Sequence, residues 1–313
     1  MRAAVLTGPG SVELVERAPA LLLPGTVRVE VEGCGVCGSN LPVWEGRPWF
    51  DYPLPPGNPG HEAWGRVVEG PALLVGRRVA LLAENAFTDE LVVPADRLVS
   101  LPQELDGQPF PGEAIGCAFN AARRSDFRSG QTVGVVGVGF LGALLVGLAA
   151  AAGARVIALA RKKSALEVAR TMGAAETVVM DDHARIIGEV AELTGGSFCE
   201  RVVEVTGASW PLDLSGELTG FGGRLVIAGF HQDGPRSVNV QLWNWRGLDV
   251  VNAHERDPEV QLRGIRDAVE AVASGRLDPR PLYTHVFGLA QTAEAMDAAA
   301  TRPEGFVKAL VTS

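Results

Sequence analysis

Over the first hundred residues apolar and polar side chains tend to alternate. Thr26-Val-Arg-Val-Glu-Val-Glu32 places an apolar residue at every second position, and Trp64-Gly-Arg-Val-Val-Glu69 does so in part. Met1–Leu6, Arg77–Leu82 and Glu90–Val93 are further short apolar runs. A period of two marks strands with one buried face, and the Pro/Gly turns between these runs predict a compact β-barrel-like unit. Within it, Gly46–Pro59 carries five prolines and the aromatics Trp49, Phe50 and Tyr52, so it reads as a loop stiffened by fixed φ angles.

From about residue 113 the pattern changes to alternating helices and buried strands. Glu113–Arg124 has helical spacing, Thr132–Val136 is a continuous apolar run, and Ala143–Ala152 is a helix of small residues. Arg155–Ala160 (strand), Ser164–Met172 (helix stopped by Gly173), and strands at Thr177–Met180, Arg201–Val205, Arg224–Ala228 and Leu248–Val251 follow. Such alternation predicts a doubly wound parallel sheet covered on both faces, and so an α/β fold. A helix over about Val260–Ser274 and a closing strand at Lys308–Val311 end the chain. The expected domains are 1–118, completed by 275–313, and a dinucleotide-binding domain over 119–274.

At 313 residues the chain exceeds one ordinary core, which agrees with two domains. A net charge of -9, without any long basic run, argues against nucleic acid and acidic membrane surfaces. The longest apolar stretch, Phe140–Ala152, is too short to span a bilayer, and Met1–Leu6 is too short for a signal peptide. Four cysteines, Cys34, Cys37, Cys117 and Cys199, in no regular framework indicate a reducing, cytoplasmic setting.

Gly137-Val-Gly-Phe-Leu-Gly142 follows the run Val133–Val136 and opens a helix, the context in which a GxGxxG turn cradles a dinucleotide. Gly137 permits the tight turn, Gly139 admits the pyrophosphate, and Gly142 allows close helix–strand packing. Phe140 and Leu141 lie within the turn. Where an acid would hold the ribose of NAD, the sequence reads Ala160-Arg161-Lys162-Lys163. Arg161 and Lys162 suit a 2′-phosphate, so NADP is favoured over NAD. Thr206-Gly207 and Gly229-Phe230, at the carboxyl ends of later strands, should face the cofactor.

Cys37, His61 and Glu62 offer a thiolate, an imidazole and a carboxylate, a mixed donor set that suits zinc. Cys37 and His61 lie 24 residues apart, so local geometry does not pair them. Cys34-Gly-Val-Cys37 is a rival as a redox pair or half a structural zinc site, but a second C-x-x-C is missing.

Cys37-Gly-Ser-Asn-Leu-Pro-Val-Trp-Glu-Gly46 followed by Pro59-Gly-His-Glu-Ala-Trp-Gly65 resembles the zinc-containing medium-chain dehydrogenase/reductase (alcohol dehydrogenase-like) family, nearest its polyol and threonine dehydrogenase branches. The resemblance runs the whole chain, to Gly305-Phe-Val-Lys308. It implies an N-terminal GroES-like catalytic domain, a Rossmann domain, and a zinc held by Cys37, His61 and a third residue, with Glu62 as an exchangeable ligand. It places that third residue about seventeen positions before the glycine preceding the first Rossmann strand. A cysteine often serves there in the family, which makes Cys117 the rival ligand, but counting back from Gly130 gives Glu113, and Cys117 one turn further on is then a small buried hydrophobe.

Two departures matter. The family's Asp and His in Cys-Gly-Ser/Thr-Asp-x-His are here Asn40 and Pro42, so Ser39 remains beside the substrate oxygen while the His that ends a proton relay is gone. Water, Glu45 or His231 are the candidate replacements. The four-cysteine structural zinc lobe is also missing, since no cysteine lies between Val67 and Pro102. One catalytic zinc and no structural zinc is therefore expected.

Trp44, Trp49, Phe50 and Trp64 either wall a substrate pocket or pack. His183, His254 and His285 read as surface or packing residues, and Asp181-Asp182 as solvated. The resemblance implies an NAD(P)-dependent alcohol dehydrogenase using Ser39, Cys37, His61 and Glu62 on an alcohol or carbonyl substrate, polyols or sugar-derived alcohols favoured. A homodimer or homotetramer is implied. The alternatives are a zinc-free enone or quinone reductase of the same fold and a non-catalytic dinucleotide-binding protein.

Overall fold

A computed structural model describes residues 1–313. Strands β1 (Arg2–Gly8) and β2 (Ser11–Glu16) form a hairpin, and β3 (Thr26–Gly35) leads through a short helix α1 (Leu41–Trp44) to β4 (Glu62–Glu69). Strands β5 (Arg78–Leu81), β6 (Glu90–Pro94) and β7 (Leu98–Ser100) precede helix α2 (Gly112–Ser125). The alternating half follows: β8 (Thr132–Val136), α3 (Phe140–Ala151), β9 (Arg155–Ala160), α4 (Lys163–Thr171), β10 (Glu176–Val179) and α5 (His183–Leu193). It continues with β11 (Cys199–Glu204), α6 (Ser209–Leu218), β12 (Thr219–Ile227), α7 (Val240–Arg246) and β13 (Asp249–Asn252). Helix α8 (Pro258–Ala273), β14 (Tyr283–Gly288), α9 (Thr292–Thr301) and β15 (Lys308–Thr312) close the chain. No helix is long and apolar enough to cross a membrane.

The chain divides into two compact units, 1–116 with 257–313, and 117–256. In the first, a seven-stranded sheet runs β14-β15-β3-β4-β5-β7, with β6 also on β3. The alternation in β3 is realised: Val27, Val29 and Val31 are buried, while Arg28 reaches out to Glu69 and Glu90. In the second, six parallel strands lie in the order β10-β9-β8-β11-β12-β13. The sheet reverses direction of winding between β8 and β11, the switch point at which such folds bind ligands. Strands β8 and β9 are apolar throughout their centres because helices cover both faces of a parallel sheet.

The boundaries differ from the expected 118/119 and 274/275. Helix α8 belongs with the first unit, because Gly112 and Gly116, one turn apart on α2, leave a groove for it. A β-carbon on Gly116 would lie 2.8 Å from the Ile265 backbone nitrogen. Helical spacing showed α8 but not the elements it packs against.

Candidate active site

Strand register brings the metal-binding candidates together. In the antiparallel pair β3–β4, Gly35 stands opposite Glu62 and Cys34 opposite Ala63. The chain therefore leaves β3 towards Cys37 at the same end at which it enters β4 past His61. The ligand atoms of Cys37, His61 and Glu62 all lie within 4.8 Å of one another.

Each of the two loops is held by the other. Asn40 Oδ1 accepts the Cys37 N–H (2.9 Å) and Asn40 Nδ2 donates to the Pro59 carbonyl (3.0 Å). This double role needs an acceptor and a donor on one side chain, which a carboxamide has and an ionised carboxylate lacks. His61 Nδ1 lies 2.8 Å from the same carbonyl, so the Nδ1–H donates there and Nε2 is the ring nitrogen that can serve a metal once its own proton leaves. Nε2 is 3.5 Å from Ser39 Oγ. The turn before His61 is fixed in turn by Ala86 and Phe87, whose N–H groups donate to the carbonyls of Gly60 and Gly57.

Glu62 is 1% exposed and its Oε2 lies 2.5 Å from Lys308 Nζ, itself nearly fully buried. Lys308 arrives on β15, which pairs with β3 so that Leu310 faces Gly35. Glu113, half-buried in the first turn of α2, lies outside the 4.8 Å trio, but its charge acts on both His61 and Lys308. Burial works against charge on His61, yet Cys37, Glu113 and Glu62 outweigh it and push its pKa up to about 10. A site where a thiol and two carboxylates converge on an imidazole favours positive charge. That donor set fits zinc, through Cys37, His61 and a carboxylate. Cys34 is different. It is buried, accepts the Glu62 N–H at 3.4 Å, and its thiol pKa is pushed up by burial, so it is an unreactive packing residue rather than half of a redox pair.

In the second unit, Gly137 has a positive φ of 103° and closes the turn after β8, and a β-carbon on Gly142 would meet the Gly137 oxygen at 2.0 Å. A β-carbon on Gly139 would meet nothing within 4 Å, so the space in front of the α3 N-terminus is open to a ligand. Phe140 is buried and Leu141 half-buried at the start of α3. Arg161 and Lys162 are exposed directly beyond β9. Thr206-Gly207 and Gly229 follow β11 and β12 at their carboxyl ends, and both turns close on Glu204, the last residue of β11.

Several expectations change. Cys117 is exposed, not buried, because it shares the stripe of Glu113 while Ala114, Ile115, Ala118 and Ala121 form the buried face of α2. Trp44 and Trp64 are core residues: Trp44 Nε1 donates to Asp297, and the Trp64 ring fills the space beside Gly33. Asp181 and Asp182 are not merely solvated, since Asp182 caps α5 through the Arg185 N–H and Asp181 pairs with the Arg185 side chain. Lys308, Asn40 and Glu204 were missed as site residues. A lone lysine in the apolar strand Lys-Ala-Leu-Val was the one available signal.

A second cluster, His183, Asp213 and Glu217, also draws its ligand atoms within 4.8 Å. There the Trp210 indole, which can only donate, gives its N–H to His183 Nδ1 (3.0 Å). The proton of the neutral ring then sits on Nε2, 3.3 Å from Glu217 Oε1, where a metal would need the lone pair. Through Trp210 and Glu217, His183 is a hydrogen-bonded join between α5 and α6.

A zinc-binding dehydrogenase model matches residues 141–261, and an alcohol dehydrogenase GroES-like domain model matches residues 23–103. The chain is 26% identical over a 346-residue alignment to 2-dehydro-3-deoxy-L-galactonate 5-dehydrogenase of Pseudoalteromonas atlantica (strain T6c / ATCC BAA-1087), covering 99% of this chain and 98% of that protein. The crystal structure of 2R,3R-butanediol dehydrogenase from Bacillus subtilis is 25% identical with a TM-score of 0.85, covering 100% of this chain and 99% of that one. L-idonate 5-dehydrogenase from Escherichia coli str. K-12 substr. MG1655 shares the fold, at 20% identity and a TM-score of 0.85, covering 100% of this chain and 98% of that one. With both domain models in chain order and relatives matched from end to end, the chain belongs to the zinc-type medium-chain alcohol dehydrogenase family.

Proposed function

We propose that this NAD(P)-dependent alcohol dehydrogenase carries one catalytic zinc per chain, prefers NADP, and interconverts a polyol or sugar-derived alcohol with its carbonyl compound. The observation that carries the reading is the convergence of Cys37, His61 and Glu62 within 4.8 Å, with Glu113 close enough for its charge to act on His61. Cys37, His61 and Glu113 are assigned as ligands and Glu62 as the exchangeable fourth. Zinc bound there supplies a Lewis acid that polarises the substrate oxygen, and the nicotinamide supplies or accepts the hydride.

The chain's own groups do the rest. Ser39 Oγ, beside His61, relays the substrate's proton during oxidation, accepting it while passing its own hydroxyl proton on to water, and runs the reverse exchange during reduction. Pro42 is buried at the start of α1 and carries no proton. Glu45 is exposed and tied to Arg47. His231 is blocked as a relay because Arg236 donates to its Nδ1, and a guanidinium accepts no proton onward. Water remains as the carrier beyond Ser39.

Exposed Arg161 and Lys162, with no acid at the end of β9, support NADP. The relatives named for galactonate-, butanediol- and idonate-type compounds support a polyhydroxy substrate. The free cysteines suit a reducing compartment, and the homodimer or homotetramer is a proposal from the family resemblance. Metal analysis by mass spectrometry tests the core of the reading. One zinc per chain is expected in the wild type, with loss in Cys37→Ser and Glu113→Ala. Full zinc in the Glu113 variant overturns that ligand choice. Activity on an activated alkene that survives a strong chelator overturns the zinc-dependent reading.

A further inference from the structure

Glu204 is fully buried at the carboxyl end of β11, beside the switch point of the parallel sheet. Its Oε1 accepts three donors: the Thr206 N–H (2.6 Å), the Thr206 hydroxyl and the Gly207 N–H (2.9 Å). Its Oε2 lies 2.9 Å from His231 Nε2. On the far side of the ring, Arg236 Nε donates to Nδ1 at 3.0 Å, and Arg236 Nη2 donates to the Gly207 carbonyl at 3.2 Å. Arginine only donates, so Nδ1 accepts and the ring proton sits on Nε2, aimed at Glu204. One tautomer of His231 satisfies every contact, and the ring stands between a buried carboxylate and a guanidinium.

The connection to the cofactor turn is steric. A β-carbon on Gly137 would lie 2.6 Å from Thr206 Cγ2, so the Thr206 methyl supports the first glycine of the phosphate turn. A β-carbon on Gly229 would lie 2.6 Å from Glu204 Oε2 and 2.3 Å from the Gly207 nitrogen. The ends of β8, β11 and β12 are thus packed around one carboxylate.

We propose that Glu204, His231 and Arg236 form a positioning clamp that holds the Thr206-Gly207 and Gly229 turns, and through Thr206 the Gly137 turn, in the shape that binds the dinucleotide. The clamp rests on the dinucleotide-binding reading of this unit. None of the three touches reacting atoms; they act through the turns, so their removal weakens cofactor binding and leaves the metal site in the other unit loaded.

The test measures NADPH and NADH binding by nucleotide fluorescence on the full chain, with zinc content and thermal unfolding in parallel. His231→Leu is expected to raise the nucleotide Kd and the cofactor KM roughly tenfold, the scale of losing hydrogen bonds to charged partners, with zinc content and alcohol KM unchanged. His231→Gln is expected to restore binding, because its amide donates to Glu204 and its carbonyl accepts from Arg236. Arg236→Met, which frees the Gly207 carbonyl while still filling the half-buried position, is expected to shift Kd in the same direction. An unchanged Kd in Arg236→Met or in a folded His231→Leu overturns the clamp while the dinucleotide reading stands. A glutamine variant that falls with the leucine variant overturns it too. A wild type that binds neither nucleotide overturns both.

Discussion

Gly35 on β3 faces Glu62 on β4, and a β-carbon on Gly35 would lie 2.0 Å from Glu62 Oε2. The missing side chain leaves the room in which Glu62 and Lys308 form their buried ion pair. Breaking such a pair strands a charge in a desolvated position. Lys308→Met is therefore expected to destabilise the zinc-free protein by about 3–5 kcal/mol. Glu62→Gln in the same chain should recover part of that loss. Denaturant unfolding in chelator reads both variants, and strictly additive losses would show that the two groups are not coupled.

Asn40 joins the loop of Cys37 to the loop of His61 through two hydrogen bonds. Asn40→Ala removes both and is expected to cost about 1–3 kcal/mol, felt as weaker zinc retention, because the half-buried Cys37 N–H and Pro59 carbonyl each lose a hydrogen-bond partner. Asn40→Asp keeps the acceptor for Cys37 but has no donor for the Pro59 carbonyl, so it should fall between. Competition with a chromophoric chelator ranks the three proteins, and equal retention would remove Asn40 from the account of the site.

Arg161 and Lys162 are exposed beyond β9, where solvent screens a single charge but a bidentate or paired contact to phosphate still discriminates. The double variant Arg161→Gln/Lys162→Gln is expected to raise the KM for NADP roughly tenfold while leaving NAD kinetics in place. The check is the ratio of kcat/KM for the two cofactors at fixed ionic strength. An unaltered ratio would mean that the basic turn is an ordinary solvated helix start.

Asp126, with φ of 54° after α2, is bound by Arg128 and Arg201. The Arg128 hydrogen bond leads, and with Arg201 it outweighs burial and holds the Asp126 carboxyl below its usual range. A carboxyl lowered in the folded state contributes stability that is present above its unfolded value and is lost as pH falls through the lowered folded one. Asparagine tolerates the same left-handed backbone, so Asp126→Asn isolates the charge. The expected loss is under about 1 kcal/mol near neutral pH, because the pair is partly exposed and screened. Thermal unfolding from pH 2 to 7 should show the wild type and variant converging at the acid end, and a gap that persists there would point to a non-electrostatic cause.

Much of this protein is determined by local pattern. Period-two alternation marked β3, a continuous apolar run before Gly137 marked β8, and the glycine turn marked the cofactor end of the parallel sheet, because burial on one face, on two faces, or none leaves a direct record along the chain. The kinds of donor at Cys37, His61 and Glu62 were also visible as residue types. What the local pattern does not contain is register and packing partner. Antiparallel pairing of Gly35 with Glu62, and β15 laid against β3, put a sulfur, an imidazole, a carboxylate and Lys308 at one sheet end, across 24 residues in one case and 246 in another. The same holds for α8, seated by Gly112 and Gly116, and for Glu204, an acid in an apolar strand whose four donors come from its own turn and from His231. These contacts are long-range. Their free energy exists only once the strands and loops are assembled, so only the tertiary structure decided them.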